Sequence, residues 1–178
     1  MDPLLSFYVA VYLIASPSQI YDAGARNFLI LTCPPFDRSI IDISDEWHSR
    51  RMLDIITNIS AFNARIYDML YSFRANHTDS HAYVFDAHRF ISSALDHPRD
   101  FPAMEGVKNT TGVCREAYDE DQPGPLDIAY ERNICRTGEL IQSYAWTSLH
   151  ATYPVHNATA AQIVLDCFGG KGTGKFCT

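Results

Sequence analysis

The stretch Asn27 to Thr32 (NFLILT) constrains this chain more than any other. Its apolar residues run without alternation, so it cannot be a strand with one wet face. A run of that length bounded by turn signals fits a parallel strand covered on both sides. Gly24 closes the segment before it, and Pro34 and Pro35 end it. A parallel strand needs a crossover of a dozen or more residues to reach its partner. The chain supplies one. Glu46 to Ala75 carries Met52, Ile55, Ile56, Ile59, Phe62, Ile66, Met69, Leu70 and Phe73 at spacings of three and four, the stripe of an amphipathic helix. Ala82 to Phe85 (AYVF), ending at Asp86, reads as the second strand.

The rest follows the same alternation. A helix through Phe90, Ile91 and Leu95 stops before Pro98. Residues 100–135 are rich in Pro, Gly and acidic side chains and read as an irregular loop. Leu140 to Trp146 is a candidate third strand. Tyr153 to Phe168 has a closing helix's spacing, with Val155, Ala158, Ala161, Ile163 and Val164 on its inner face. Gly169 to Thr178 reads as a Gly and Lys tail. There is no internal repeat and no linker, so residues 1–178 are read as one α/β domain.

Composition narrows the partners. With 14 basic against 21 acidic residues the net charge is −7, which leaves no basic face for a nucleic-acid backbone. Leu4 to Ala15 is apolar but too short to span a bilayer. It resembles the core of an export signal, yet Asp2 stands before it and no Lys or Arg does, so it reads as a buried helix. Leu4 to Tyr21 as a whole reads as helical, with a break near Pro17.

Cysteines and asparagines bear on the compartment. The five cysteines, Cys33, Cys114, Cys135, Cys167 and Cys177, form no Cys-x-x-Cys pair that would indicate zinc. Four of the seven asparagines, Asn58, Asn76, Asn109 and Asn157, begin Asn-x-Ser/Thr acceptor motifs for glycosylation. With 24 Ser and Thr in 178 residues, chance accounts for roughly one. That excess points to a secreted lineage. There Cys114 and Cys135 are candidates for a disulfide closing the acidic loop, worth about 3 kcal/mol in the chain-entropy picture. Unrelated buried thiols are the alternative.

Two segments carry the chemistry. Gly24 to Ser39 (GARNFLILTCPPFDRS) places a Pro-Pro loop at the carboxyl end of a buried strand, where open α/β sheets bind ligands. Trp146 to His156 (WTSLHATYPVH) puts His150 in a short polar loop before the last helix, where an imidazole can serve as a base. Together they resemble the GDSL, or SGNH, hydrolase family, and in particular secreted fungal acetylesterases that act on plant cell-wall carbohydrate. The first is similar to that family's Gly-Ala-Arg strand and Pro-Pro segment. The second is similar to its terminal Trp-Asp-x-x-His-Pro-Thr block. The likeness runs from about Tyr21 to Phe168 and includes the Asp-ended strand YVFDAH.

The resemblance implies a three-layer α/β/α sandwich around a parallel, flavodoxin-like sheet. It also implies hydrolysis of a carboxylic ester, such as acetyl groups on carbohydrate, through a serine acyl-enzyme with no metal and no organic cofactor. His150 matches the family's catalytic base. Thr147 stands where the family has the Asp that orients it. The Gly-Asp-Ser nucleophile block and the Gly-x-Asn-Asp oxyanion block do not occur in this sequence. The expectation is therefore of an incomplete domain: an inner neighbour missing beside the first two strands, an unpaired apolar edge, and marginal stability. The alternative is a non-catalytic remnant that binds carbohydrate or another partner, with Trp146 and tyrosines for sugar stacking.

Other clusters read as structural. Asp45 to His48 repeats the Asp-x-x-His spacing ahead of the wrong helix. Gly169 to Lys175 (GGKGTGK) imitates a phosphate loop, but Phe176 replaces the required hydroxyl and no helix follows. His77, His81, His88 and His97, with Asp79 and Asp86, read as a solvated polar rim rather than metal ligands.

Overall fold

The computed structural model describes residues 17–38, 46–113, 144–146, 150–169 and 174–178, without the side chains of 46–52 and 112–113. The fold is mixed α/β with short parallel strand pairs in two small sheets. The chain divides into two compact units.

The first unit comprises the chain to Pro34, Arg50 to His88 and Ile163 to Thr178. Residues 17–22 are helical, and Gly24 turns the chain with φ +107°, a conformation open to glycine at little cost. β1 (Asn27–Leu31) then lies parallel to β2 (His81–Phe85), in register from Asn27 opposite His81 to Leu31 opposite Phe85. The expected crossover helix joins them as α1 (Glu46–Asn76).

Strand alternation sends Ala82 and Val84 to the face where Ile66, Leu70 and Phe73 of α1 are buried, with Phe28, Ile30, Tyr21 and Phe62 packed around them. Ile56 departs from its expected core role and is 42% exposed. Tyr83, on the opposite face, meets the ring of Phe168 edge-on at 6.2 Å.

β1 pairs directly with β2. One sequence expectation is corrected here. The final residues are more than a tail. Phe85 forms an antiparallel bridge with Cys177, and Val84 and Thr178 exchange two backbone hydrogen bonds at 2.9 and 3.0 Å. The other edge of β2 is thereby occupied. β1 is less covered than its apolar run implies: no residue from Asn27 to Leu31 is fully buried, and Leu31 is 43% exposed.

The second unit comprises Pro35 to Ser49 and Arg89 to Gln162. Its helix α2 (Ala87–Asp96), which begins in the first unit, buries Phe90, Ile91, Ala94 and Leu95, one stripe of the helix. Arg38 donates to the Ser92 carbonyl at 2.9 Å and to the Asp96 carboxylate at 2.8 Å. The segment read as an irregular loop holds more order than expected. Two 3-10 turns, Pro98–Asp100 and Pro102–Met104, start on prolines and bury Met104. β3 (Asn109–Val113) follows and lies parallel to β4 (Tyr144–Trp146) across a bulge. The candidate third strand is thus confined to residues 144–146 in the described part. It belongs to a separate sheet rather than extending the β1–β2 pair. α3 (Tyr153–Phe168) begins in this unit and ends in the first.

On α3, Val155 and Ala158 are buried as expected, whereas Ala161 is exposed and Val164 is 59% exposed. Asp166 and Cys167 are buried instead. The cause is local: Phe176 donates its N–H to the Asp166 carboxylate at 2.9 Å, and Cys167 is disulfide-bonded to Cys177.

Candidate functional site

The first location is the carboxyl end of the β1–β2 pair. Just past β1, Thr32 is 2% exposed and fully engaged. Its N–H donates to the Phe85 carbonyl at 3.1 Å, which extends the strand pairing by one residue. Its hydroxyl donates to the Asp86 carboxylate at 3.2 Å and accepts the His88 N–H at 3.1 Å. The next residue is held as firmly. The Asn63 amide, from the middle of α1, accepts the Cys33 N–H at 2.7 Å and donates to the Cys33 carbonyl at 3.2 Å. Backbone groups that leave a sheet at a Pro-Pro loop need partners, and this one amide supplies both.

The arrangement fixes Thr32, Cys33, Asp86 and His88 at the strand end that, in α/β folds, faces ligands. Sequence reasoning picked out this loop but missed Asn63, which sits within the helical stripe at a half-buried position. A polar residue there, between Phe62 and Ile66, is the signal that could have found it.

The second location is the His150 loop. Its ends are clamped together. Trp146 and Ala151 form an antiparallel bridge, and the Thr152 N–H donates to the Ala145 carbonyl at 2.9 Å. The Thr152 hydroxyl donates to the Tyr144 carbonyl at 2.6 Å, and the Thr152 carbonyl accepts the His156 N–H at 3.2 Å as the first bond of α3. His150 lies in that loop, exposed. Thr147 lies outside the described residues.

Trp146 is not available for sugar stacking. It is 1% exposed, so its ring is part of the core. Among the described residues the strongly exposed aromatic residues are Tyr71 on α1, Tyr153 at the start of α3 and Phe168 at its end.

The remaining candidates fall in different places. Cys114 and Cys135 lie outside the described residues. Among the described residues Cys167 and Cys177 form a disulfide, with Cα atoms 5.4 Å apart. Sequence reading had passed over this pair, because ten residues of Gly-rich tail show no reason to return to the helix. Asn58 is half-buried within α1. Asn76, at its end, is exposed and donates to the Ser72 carbonyl at 2.8 Å. Asn109, half-buried in β3, accepts the Thr111 N–H at 3.1 Å. Asn157 is exposed on α3.

The histidines read as a polar rim are not alike. His77 stacks on Phe73 at 4.3 Å and bonds the Phe73 carbonyl, so it belongs to the packing. Among the described residues no three His, Cys, Asp or Glu side chains converge as metal ligands would. No described helix is long and apolar enough to cross a membrane.

At the opposite, amino end of the strand pair, Asp79 accepts from the Tyr21 hydroxyl at 2.5 Å and from Arg26 at 2.8 Å. Arg26 lies 3.9 Å over the Tyr21 ring. The hydrogen bond from Tyr21, helped by Arg26, holds the Asp79 carboxyl below its ordinary 3.8, and the same bond holds the Tyr21 hydroxyl above its ordinary 10.0. This cluster anchors residues 17–22 to the turn before β2 and offers no nucleophile.

No model of a known protein family matches the chain, and no curated protein is significantly similar to it.

Proposed function

We propose that this chain carries the base-bearing part of an SGNH-type ester hydrolase acting on small acyl esters such as acetylated carbohydrate. The observation that carries the reading is the His150 loop, clamped to β4 immediately before the last helix. That is where the resemblance puts the catalytic histidine. The parallel β1–β2 pair, packed on α1, is compatible with a three-layer sandwich of the same kind.

In such a reaction a serine hydroxyl attacks the ester carbonyl while the imidazole takes its proton, then returns it to the leaving alcohol. His150 fills the imidazole's role. The Gly-Asp-Ser and Gly-x-Asn-Asp blocks that would bring the serine and the oxyanion donors do not occur in this sequence. Thr147, in the orienting position, offers a hydroxyl that accepts a hydrogen bond but carries no charge to stabilise imidazolium. A secreted setting is supported by the four glycosylation motifs and by the Cys167–Cys177 bond, since disulfides persist in oxidising compartments.

The test is to fuse the chain to a segment bearing Gly-Asp-Ser and Gly-x-Asn-Asp blocks and follow release of 4-nitrophenol from its acetate. Turnover is expected, with His150→Ala lowering it by about 10²–10⁴-fold and Thr147→Asp raising it. A folded fusion whose turnover is indifferent to His150 ends this reading.

A further inference from the structure

Cys167 ends the buried face of α3, and the segment that follows it returns to the strand pair. Residues 174–178 lie along the edge of β2 opposite β1. The Val84 N–H donates to the Thr178 carbonyl at 2.9 Å, the Thr178 N–H to the Val84 carbonyl at 3.0 Å, and the Asp86 N–H to the Phe176 carbonyl at 2.7 Å. Arg74 of α1 donates to the Thr178 carbonyl at 2.9 Å and also to the Ala82 carbonyl, so one guanidinium bridges both sides of the seam. Phe176 is buried beside Phe85, with ring centroids 6.5 Å apart. Gly174 passes so close to α3 that an added Cβ would stand 2.2 Å from the Asp166 Cβ, so no larger residue fits.

Little in the sequence between the two cysteines favours this path. Four of the nine residues from Phe168 to Phe176 are glycine, and a glycine-rich segment loses the most conformational freedom when it is ordered. A covalent closure of that segment removes much of the disordered ensemble with which docking competes. Both sulfur-bearing residues are buried, so a reductant reaches them when the segment lifts.

We propose that residues 174–178 are a redox-controlled strap: the Cys167–Cys177 disulfide holds them on β2, and reduction by a dithiol releases them. In the reduction the S–S bond breaks and two protein thiols form. The two electrons and two protons come from the dithiol, which closes to its own disulfide. Release uncovers the Val84 and Asp86 amides. The first reopens a strand edge able to accept another strand. The second frees the backbone of Asp86, whose carboxylate accepts from the Thr32 hydroxyl.

Residue-resolved hydrogen exchange on the full chain tests this, with and without dithiothreitol, alongside the Cys167→Ser/Cys177→Ser double variant. Both reduced chain and variant are expected to lose at least about tenfold in protection at Val84, Asp86 and Thr178. The Thr32 and His81 amides, which bond across to β2 and from β2 to Arg26, keep theirs, and reoxidation restores the wild-type pattern. Unchanged protection at Val84 and Asp86 overturns the proposal, because the strap would then dock without the bond. Equal loss at all five amides overturns it too, because the disulfide would then staple the whole unit. Phe176→Ala in the oxidised chain gives an independent reading. It is expected to raise exchange at Asp86 while the disulfide stays intact, and no change there counts against the strap's own contacts.

Discussion

The two ends of the β1–β2 pair are held by opposite means. At the carboxyl end, a buried hydroxyl and one side-chain amide hold the chain: Thr32 between the Asp86 carboxylate and the His88 N–H, Asn63 on both sides of Cys33. At the amino end, an exposed ion pair does the work, with Arg26 and Tyr21 on the Asp79 carboxylate. Part-buried bonds of this kind are costly to break, because the stranded partner is partly cut off from water. Exposed charges are screened by salt and solvated when separated. The difference teaches where rigidity is concentrated. The end that faces ligands in α/β folds is the end held by the bonds that solvent and salt weaken least.

Thr32→Val strikes the stronger end hardest. It deletes the hydroxyl shared by the Asp86 carboxylate and the His88 N–H, and denaturant unfolding is expected to show a loss of about 1–3 kcal/mol. A value near zero would mean that the hydroxyl network contributes nothing beyond shape. Asn63→Ala sharpens the same point from α1. The Cys33 N–H and carbonyl lose their partner, with an expected cost of about 1–2 kcal/mol and faster exchange of the Cys33 amide. An unchanged amide there would show that the Pro-Pro loop holds itself.

The smallest effect belongs to the amino end. Asp79 has a folded pKa below 3.8, so its contribution is present above that value and is lost as pH falls through the lower folded one. Tyr21 has a folded pKa above 10.0, so its contribution is present below 10.0 and is lost as pH rises through the higher folded value. Asp79→Asn is therefore expected to flatten the acid limb of the stability profile, with the difference from wild type shrinking in high salt. An acid limb identical in the two proteins would assign it to other carboxylates.

What could be read in advance had a period or a punctuation mark. The α1 stripe with Ile59, Ile66, Leu70 and Phe73, the Gly24 stop, β1 before Pro34 and β2 before Asp86 all follow from local rules that tertiary contacts did not override. Ile56 fits the same spacing yet is exposed, since periodicity marks a face and not how far the neighbouring layer covers it. The candidate site divides similarly. His150 was singled out by the resemblance and by its place in a polar loop before a helix, whereas the clamp at the loop's ends is made of backbone groups and one threonine hydroxyl, which leave no compositional trace.

By itself the sequence determined the β-α-β order, the parallel pairing it demands and the helices that follow, because chain length and side-chain period are local quantities. Only the tertiary structure decided that Asn63 would serve Cys33, thirty residues away, that Trp146 would be buried rather than offered to a ligand, and that residues 174–178 would return to β2 through a bridge at Cys177. Each depends on which distant groups are left needing a partner once the layers have packed, and that is a property of the assembled backbone and not of any window along the chain.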